Sequence, residues 1–201
     1  MYKYFVLNKP KAMLSQFKGQ YGLNTLNLLK HQFDENVMPV GRLDYDTEGL
    51  LLLTTDKNFY KKILLPKAKI NKTYLVRVKN NINQTAINLL QNGVEIKLKG
   101  KGCVYKTQPC LVEIISKHEL PTMFYEDYVW PHTWLKITIS EGKNRQVRKM
   151  FSVVGFIVQR LIRVQIGNLK ISALNVGSVK QLSDNEVNSV FLSDKNQSCS
   201  V

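Results

Sequence analysis

Residues 50–55 read LLLLTT, a short apolar run held between Gly49 and Asp56. Without polar alternation it is predicted to be a strand covered on both faces, since every second side chain of a half-exposed strand would meet water. A buried strand needs a packed interior around it. With 201 residues, 44% of them hydrophobic, the chain has enough apolar material for one moderate domain or two small lobes sharing a core.

The rest of the chain supplies strands and helices in an irregular order. Residues 2–7 (YKYFVL) read as a strand ended at Asn8-Lys9-Pro10, because proline cannot continue a ladder. Asn24 is predicted to cap a helix over 25–33 with Leu26, Leu29 and Phe33 on one face. Asp56 caps a second helix through Leu65, stopped by Pro66. Residues 72–79 read as a strand, and Asn83 caps a helix over 84–91 with Gly93 as its stop. Short strands are expected over 94–116 around a Lys/Gly turn at 99–102, then an irregular aromatic surface loop over 117–132. A strand at 134–139 precedes a helix over 144–153, with Val147, Met150, Phe151 and Val154 inward and Gly155 terminating. Residues 191–201 are polar and predicted to fray. No internal repeat is present. The mixture lacks a strict βαβ rhythm, so the expectation is an α+β fold, a mixed and largely antiparallel sheet flanked by helices.

The formal net charge is +14. Residues 57–79 carry eight Lys and Arg and no acid, and residues 136–170 carry eight against Glu141 alone. These windows hold +8 and +7, which leaves the remainder near neutral. Codon bias toward lysine would spread charge more evenly. Two basic stretches in a neutral background look like a footprint for phosphates. Cys103, Cys110 and Cys199 are too few for a disulfide framework and show no CxxC spacing, and His31, His118 and His132 are not paired at ligand spacing. No metal site is therefore expected. No apolar run reaches ~18 residues and the N-terminus lacks a signal-peptide core, so a cytoplasmic protein without a membrane span is expected.

The chemistry is concentrated in residues 39–56, PVGRLDYDTEGLLLLTTD. Asp44, Asp46 and Glu48 fall between Gly41 and Gly49, immediately ahead of the buried strand. A carboxylate in such a turn is either a surface or capping acid or, on so rigid a support, a functional group. Gly41-Arg42-Leu43-Asp44 followed by Thr47, Gly49, Leu50, Leu51, Thr54 and Asp56 resembles the central motif of the pseudouridine synthases, in the branch that modifies ribosomal RNA at single uridines. Four further blocks resemble that family in order: Phe5 to Pro10, Lys72-Thr73-Tyr74, Glu141 to Met150 (EGKNRQVRKM), and Arg160-Leu161-Ile162-Arg163 with Ile166-Gly167. Gln16-Phe17, Trp130-Pro131 and the 133–138 segment are similar to the E-type enzymes of that branch, which lack an S4 RNA-binding domain.

The resemblance implies two lobes around a basic catalytic cleft, with residues 1–190 as a catalytic domain without an S4 domain. It implies isomerisation of a uridine in ribosomal RNA, of the large subunit (23S) by similarity to the E-type. Asp44 takes the role of catalytic carboxylate, ionised and close to the ribose C1′, with Asp46 as its nearest rival. Arg148 is the implied cation beside it, with Arg145 an alternative. Tyr74 matches the tyrosine that stacks on the flipped base and offers a hydroxyl for the C5 proton. Leu161 matches the aliphatic wall of the pocket. Arg42 is placed to fill the gap left by the extruded base or to bind a phosphate, and Lys72, Lys143, Arg145 and Arg163 are candidate RNA contacts. An isomerisation requires no cofactor, and a monomer is the default. Two other readings exist. Asp44-Tyr45-Asp46-Thr47 fits the DxDxT motif of dehalogenase-type phosphatases, but Gly41-Arg42 stand where that motif needs apolar residues. A non-catalytic RNA-binding module would use the basic windows and interleaved aromatics, yet leaves the acidic turn without purpose.

Overall fold

The computed structural model describes residues 1–19, 22–98, 100, 102–171 and 173–192. In chain order the strands are β1 (Tyr4–Lys9), β2 (Met38–Pro39), β3 (Glu48–Thr54), β4 (Lys72–Lys79), β5 (Glu95–Lys97), β6 (Val104–Lys106), β7 (Leu111–Ile115), β8 (His132–Ile139), β9 (Val158–Ile166), β10 (Leu169–Lys170) and β11 (Val179–Gln181). The α-helices are α1 (Lys57–Leu64), α2 (Gln84–Asn92), α3 (Gln146–Val153) and α4 (Asp184–Ser189). The chain forms two compact units, one of Met1–Lys72 with Val164–Val201 and one of Thr73–Arg163.

In the first unit β1 lies between β11 and β3, antiparallel to both, with Tyr4 opposite Thr54 and Lys9 opposite Gly49. All seven residues of β3 are buried, and Leu50, Leu51, Leu52 and Leu53 are completely so. Each such side chain contributes about 1.5–3 kcal/mol relative to exposure, which makes this strand the anchor for the turn that precedes it. Helix α1 starts as expected. The Asp56 carboxylate accepts from the backbone N–H of Asn58 (2.8 Å) and Phe59 (3.2 Å) and from the Tyr4 hydroxyl (2.8 Å). Burial opposes ionisation of Asp56, but the Tyr4 hydroxyl and the two N–H groups hold its carboxyl below the usual range. Burial first, and then the bond to Asp56, push the Tyr4 phenol up to about 12.

The helix expected over 25–33 is not formed. A single 3₁₀ turn, Leu26–Leu28, stands there, and Thr25 rather than Asn24 precedes it. Backbone bonds to another segment compete: Leu26 N–H donates to the Gln16 carbonyl (3.0 Å), and Leu14 N–H to that of Asn24 (2.8 Å). Phe33 instead joins an edge-to-face cluster with Phe5, Phe17 and His31. Strand β1 also runs two residues further than expected, to Lys9, and Pro10 ends it.

In the second unit β8 lies between β4 and β7, with Leu111 opposite Thr138 and Ile115 opposite Trp134 in the antiparallel β7–β8 pair. The Thr73 and Thr138 hydroxyls bridge β4 and β8 at 2.9 Å. Strands β5 and β6 form a separate antiparallel pair, and α3 packs against β5. Asn83 caps α2 through its side chain, and Gln91 near the helix end donates to the Val112 carbonyl of β7 (2.9 Å). The aromatic stretch after β7 is better anchored than an open loop. Phe124 is fully buried, the Arg77 guanidinium pairs with Glu126 and stacks 3.8 Å from the Tyr128 ring, and Arg160 donates to the Phe124 carbonyl (2.6 Å). Of the predicted 99–102 turn, residues 99 and 101 lie outside the described residues, as do 193–201 of the predicted tail.

Candidate functional site

The acidic turn belongs to the first unit and is fixed by its backbone. Ser15, itself buried, donates its hydroxyl to the Leu43 carbonyl (2.9 Å) and accepts from the Leu43 N–H (3.0 Å). Ala12 N–H donates to the Tyr45 carbonyl (2.9 Å), and Thr47 N–H closes the turn on the Asp44 carbonyl (3.0 Å). The residues on either side of Asp44 are thus clamped by the 12–15 segment, while Leu43, Thr47 and Glu48 are buried as anchors. Asp44 and Asp46 are both half-buried, and Arg42 and Tyr45 are exposed. These bonds fix the backbone of the turn, a rigid support for the carboxylates it carries.

Lys9 completes the support. Its side chain is fully buried, and its ammonium donates to the carbonyls of Met13 (2.7 Å) and Pro10 (2.9 Å). It therefore shapes the segment that clamps the acidic turn. The sequence marked Lys9 only as part of the opening block, and Ser15 not at all, because neither shows a local pattern. Lys72, the last residue of this stretch of the unit, is half-buried and donates to the Ile70 carbonyl (2.7 Å).

Tyr74, Lys143, Arg145, Arg148, Leu161 and Arg163 belong to the second unit. Tyr74 is buried on β4, and Leu161 and Arg163 are buried on β9. Arg148 is the third residue of α3, half-buried, and donates to the Val158 carbonyl at the start of β9 (2.9 Å). Lys143 and Arg145 are exposed, and the Lys143 ammonium sits 4.7 Å from the Tyr105 ring centre.

The loop leading into α3 is organised by Glu141, which the sequence marked only as the first residue of its block. One Glu141 oxygen accepts from the Gln146 side-chain amide (2.5 Å) and the Gln108 N–H (3.0 Å), and the other from the Tyr105 hydroxyl (2.5 Å). The Gln146 side-chain oxygen in turn accepts from the Lys143 N–H (2.9 Å). These bonds close the loop so tightly that Arg145 adopts a left-handed conformation, with φ +51° and ψ +34°. Such a backbone persists only where its surroundings over-determine it. The bond to Glu141, and then burial, hold the Tyr105 phenol above its ordinary range. Burial first, and then the Glu141 charge, push the Cys110 thiol up to about 12. Glu141→Gln is expected to let Tyr105 ionise at lower pH, read as a shift in the phenolate absorbance titration. It should also cost about 1–3 kcal/mol in denaturant unfolding, because one amide oxygen replaces two carboxylate acceptors.

Among the described residues no cluster of three His, Cys, Asp or Glu side chains could hold a metal ion, and no helix is long and apolar enough to cross a membrane.

Comparison with known proteins finds one family over most of the chain. The model of the RNA pseudouridylate synthase family matches residues 3–153. Ribosomal large subunit pseudouridine synthase E of Vibrio vulnificus is 38% identical over 185 residues, covering 90% of this chain and 75% of the relative. Ribosomal large subunit pseudouridine synthase B of Bacillus subtilis is 33% identical over 184 residues, covering 92% and 69%. A crystal structure of a pseudouridylate synthase superposes with a TM-score of 0.75 at 30% identity, covering 94% of this chain and 74% of that one.

Proposed function

The chain belongs to the RNA pseudouridylate synthase family and is an enzyme that isomerises uridine in RNA, and we propose that its substrate is large-subunit ribosomal RNA and that Asp44 is its catalytic carboxylate. The observation that carries the assignment to Asp44 is its turn, matched to the family motif and clamped through the backbone of Leu43, Tyr45 and Asp44 itself. The 23S RNA assignment draws on the names of the E-type and B-type relatives.

In this reading the target uridine leaves the RNA stack and enters a pocket, at a cost of a few kcal/mol. The ionised Asp44 acts at the ribose C1′ as the bond from C1′ to N1 breaks. The base turns, C5 bonds to C1′, the C5 proton departs and N1 gains one, so no oxidant or cofactor enters. Tyr74 supports the base, and its hydroxyl takes the C5 proton as its own proton passes to solvent. Leu161 supplies the aliphatic wall, and Arg148 supplies the cation. Arg42 occupies the space the base leaves, while Lys72, Lys143, Arg145 and Arg163 contact the RNA. Residues 1–190 carry these roles.

Mapping pseudouridines in ribosomal RNA from a strain lacking this protein tests the reading. One large-subunit site should revert to uridine and return when the gene is restored. An unchanged large-subunit map would overturn the substrate assignment.

A further inference from the structure

The first half of the acid-free window, residues 57–69, has no part in the catalytic assignment and belongs to the first unit. Helix α1 buries Phe59 and Ile63, one helical turn apart, and turns Lys57, Lys61 and Lys62 outward. Lys67 and Lys69, in and just after the following 3₁₀ turn, are also exposed. Among the described residues none of these five lysines meets a carboxylate at ion-pair distance; Lys62 rests 4.1 Å from the Phe191 ring centre. Five like charges over thirteen residues repel one another, and a polyanion relieves that repulsion.

The face is joined to the acidic turn. Gly41, at φ +72°, lies so close to α1 that a Cβ there would stand 3.3 Å from the Leu64 side chain. Arg42 follows directly and is exposed. On the other side of the turn, the bond from Ala12 to Tyr45 brings up exposed Lys11. Arg42 therefore adds positive charge where the turn meets the end of α1, and Lys11 adds another beside the turn. All five charged side chains on that face are lysines, which act as point charges and carry no forked hydrogen-bonding pattern, so the face suits phosphates and not base edges.

We propose that Lys57, Lys61, Lys62, Lys67 and Lys69 form a sequence-independent surface for the RNA backbone flanking the target uridine. This rests on the reading of the substrate as RNA. It adds that the strand leaves the Asp44 turn along α1.

The test is the triple variant K57Q/K61Q/K67Q in the full chain, which leaves the Lys62 contact with Phe191 intact. The readouts are Kd for a large-subunit RNA fragment against salt, single-turnover rate at saturating RNA, and a thermal melt to establish folding. Affinity should fall about tenfold or more at 0.1 M salt, and the slope of log Kd against log salt should drop by about 2, near 0.7 per lost contact. The saturating rate should stay unchanged. A matched variant, K18Q/K30Q/K117Q, removes the same charge elsewhere and should keep the slope. An unaltered slope in the first variant, or equal losses in both, overturns the surface. Wild-type protein that binds no RNA would sink the RNA reading as well. Wild-type turnover beside an unaltered slope would sink the surface alone and leave the face for an acidic protein.

Discussion

Asp44→Asn will stop tritium release from C5-labelled uridine in ribosomal RNA, lowering turnover on the order of 10⁴-fold or more. The amide has the shape of the carboxylate but neither its charge nor its nucleophilicity. The turn itself should survive, because Ser15 and Ala12 hold it through the backbone of Leu43 and Tyr45, and Thr47 closes it on the Asp44 carbonyl. Melting temperature and RNA affinity should therefore stay close to wild type. This separates lost chemistry from lost folding. Asp46→Asn is the internal control, since Asp46 lies in the same turn and is equally half-buried. Turnover that survives Asp44→Asn and disappears in Asp46→Asn would transfer the catalytic role to Asp46. Survival in both would leave the acidic turn without a part in the reaction.

Much of this architecture was legible because its signals are local. Asp56 and Asn83 cap helices through bonds to residues two or three positions away, and Gly93 ends α2 at φ +80°. The leucine run reads as a buried strand, and β3 is buried along its whole length. The sequence reading failed where distant partners decide. The apolar spacing of 25–33 is helical, but bonds between 14–16 and 24–26 and the edge-to-face contacts of Phe33 with Phe5 and Phe17 give a different structure. Strand β9 carries Gln159, Arg160, Arg163 and Gln165 among its nine residues, a polar content that hides its strand character. In the same way, the motifs point to candidate reactive residues but not to the bonds that support them. Lys9, Ser15, Tyr105 and Glu141 act through bonds to segments that are near only after folding, as between Tyr105 and Glu141, 36 residues apart.

Gly167 illustrates how a motif residue serves the fold and not the reaction. Gly167 and Asn168 form the two-residue link between β9 and β10, where Ile166 pairs with Leu169, and a tight link of this kind favours glycine at positive φ. Its φ is +55°, so any Cβ meets backbone strain. Space is the stronger constraint. A Cβ at Gly167 would lie 2.0 Å from the Val190 carbonyl oxygen and 2.6 Å from its carbon. Both are main-chain atoms beyond the end of α4, where Asn168 N–H also bonds the Ser189 carbonyl (3.0 Å). Relief requires moving the helix end or the hairpin, and either movement disturbs bonds that hold this unit together, including that from Gly167 N–H to the Asn71 carbonyl (2.8 Å). Gly167→Ala should therefore destabilise the protein by about 3 kcal/mol or more, well above the usual penalty for a residue held at positive φ. For a chain of this size that corresponds to a fall in Tm of roughly 6–12 °C. At temperatures where the variant stays folded, its saturating turnover should match wild type, since Gly167 has no part in the proposed chemistry. A variant that melts with wild type would show that α4 yields easily, and the close approach of Val190 would then not be what requires glycine at this position.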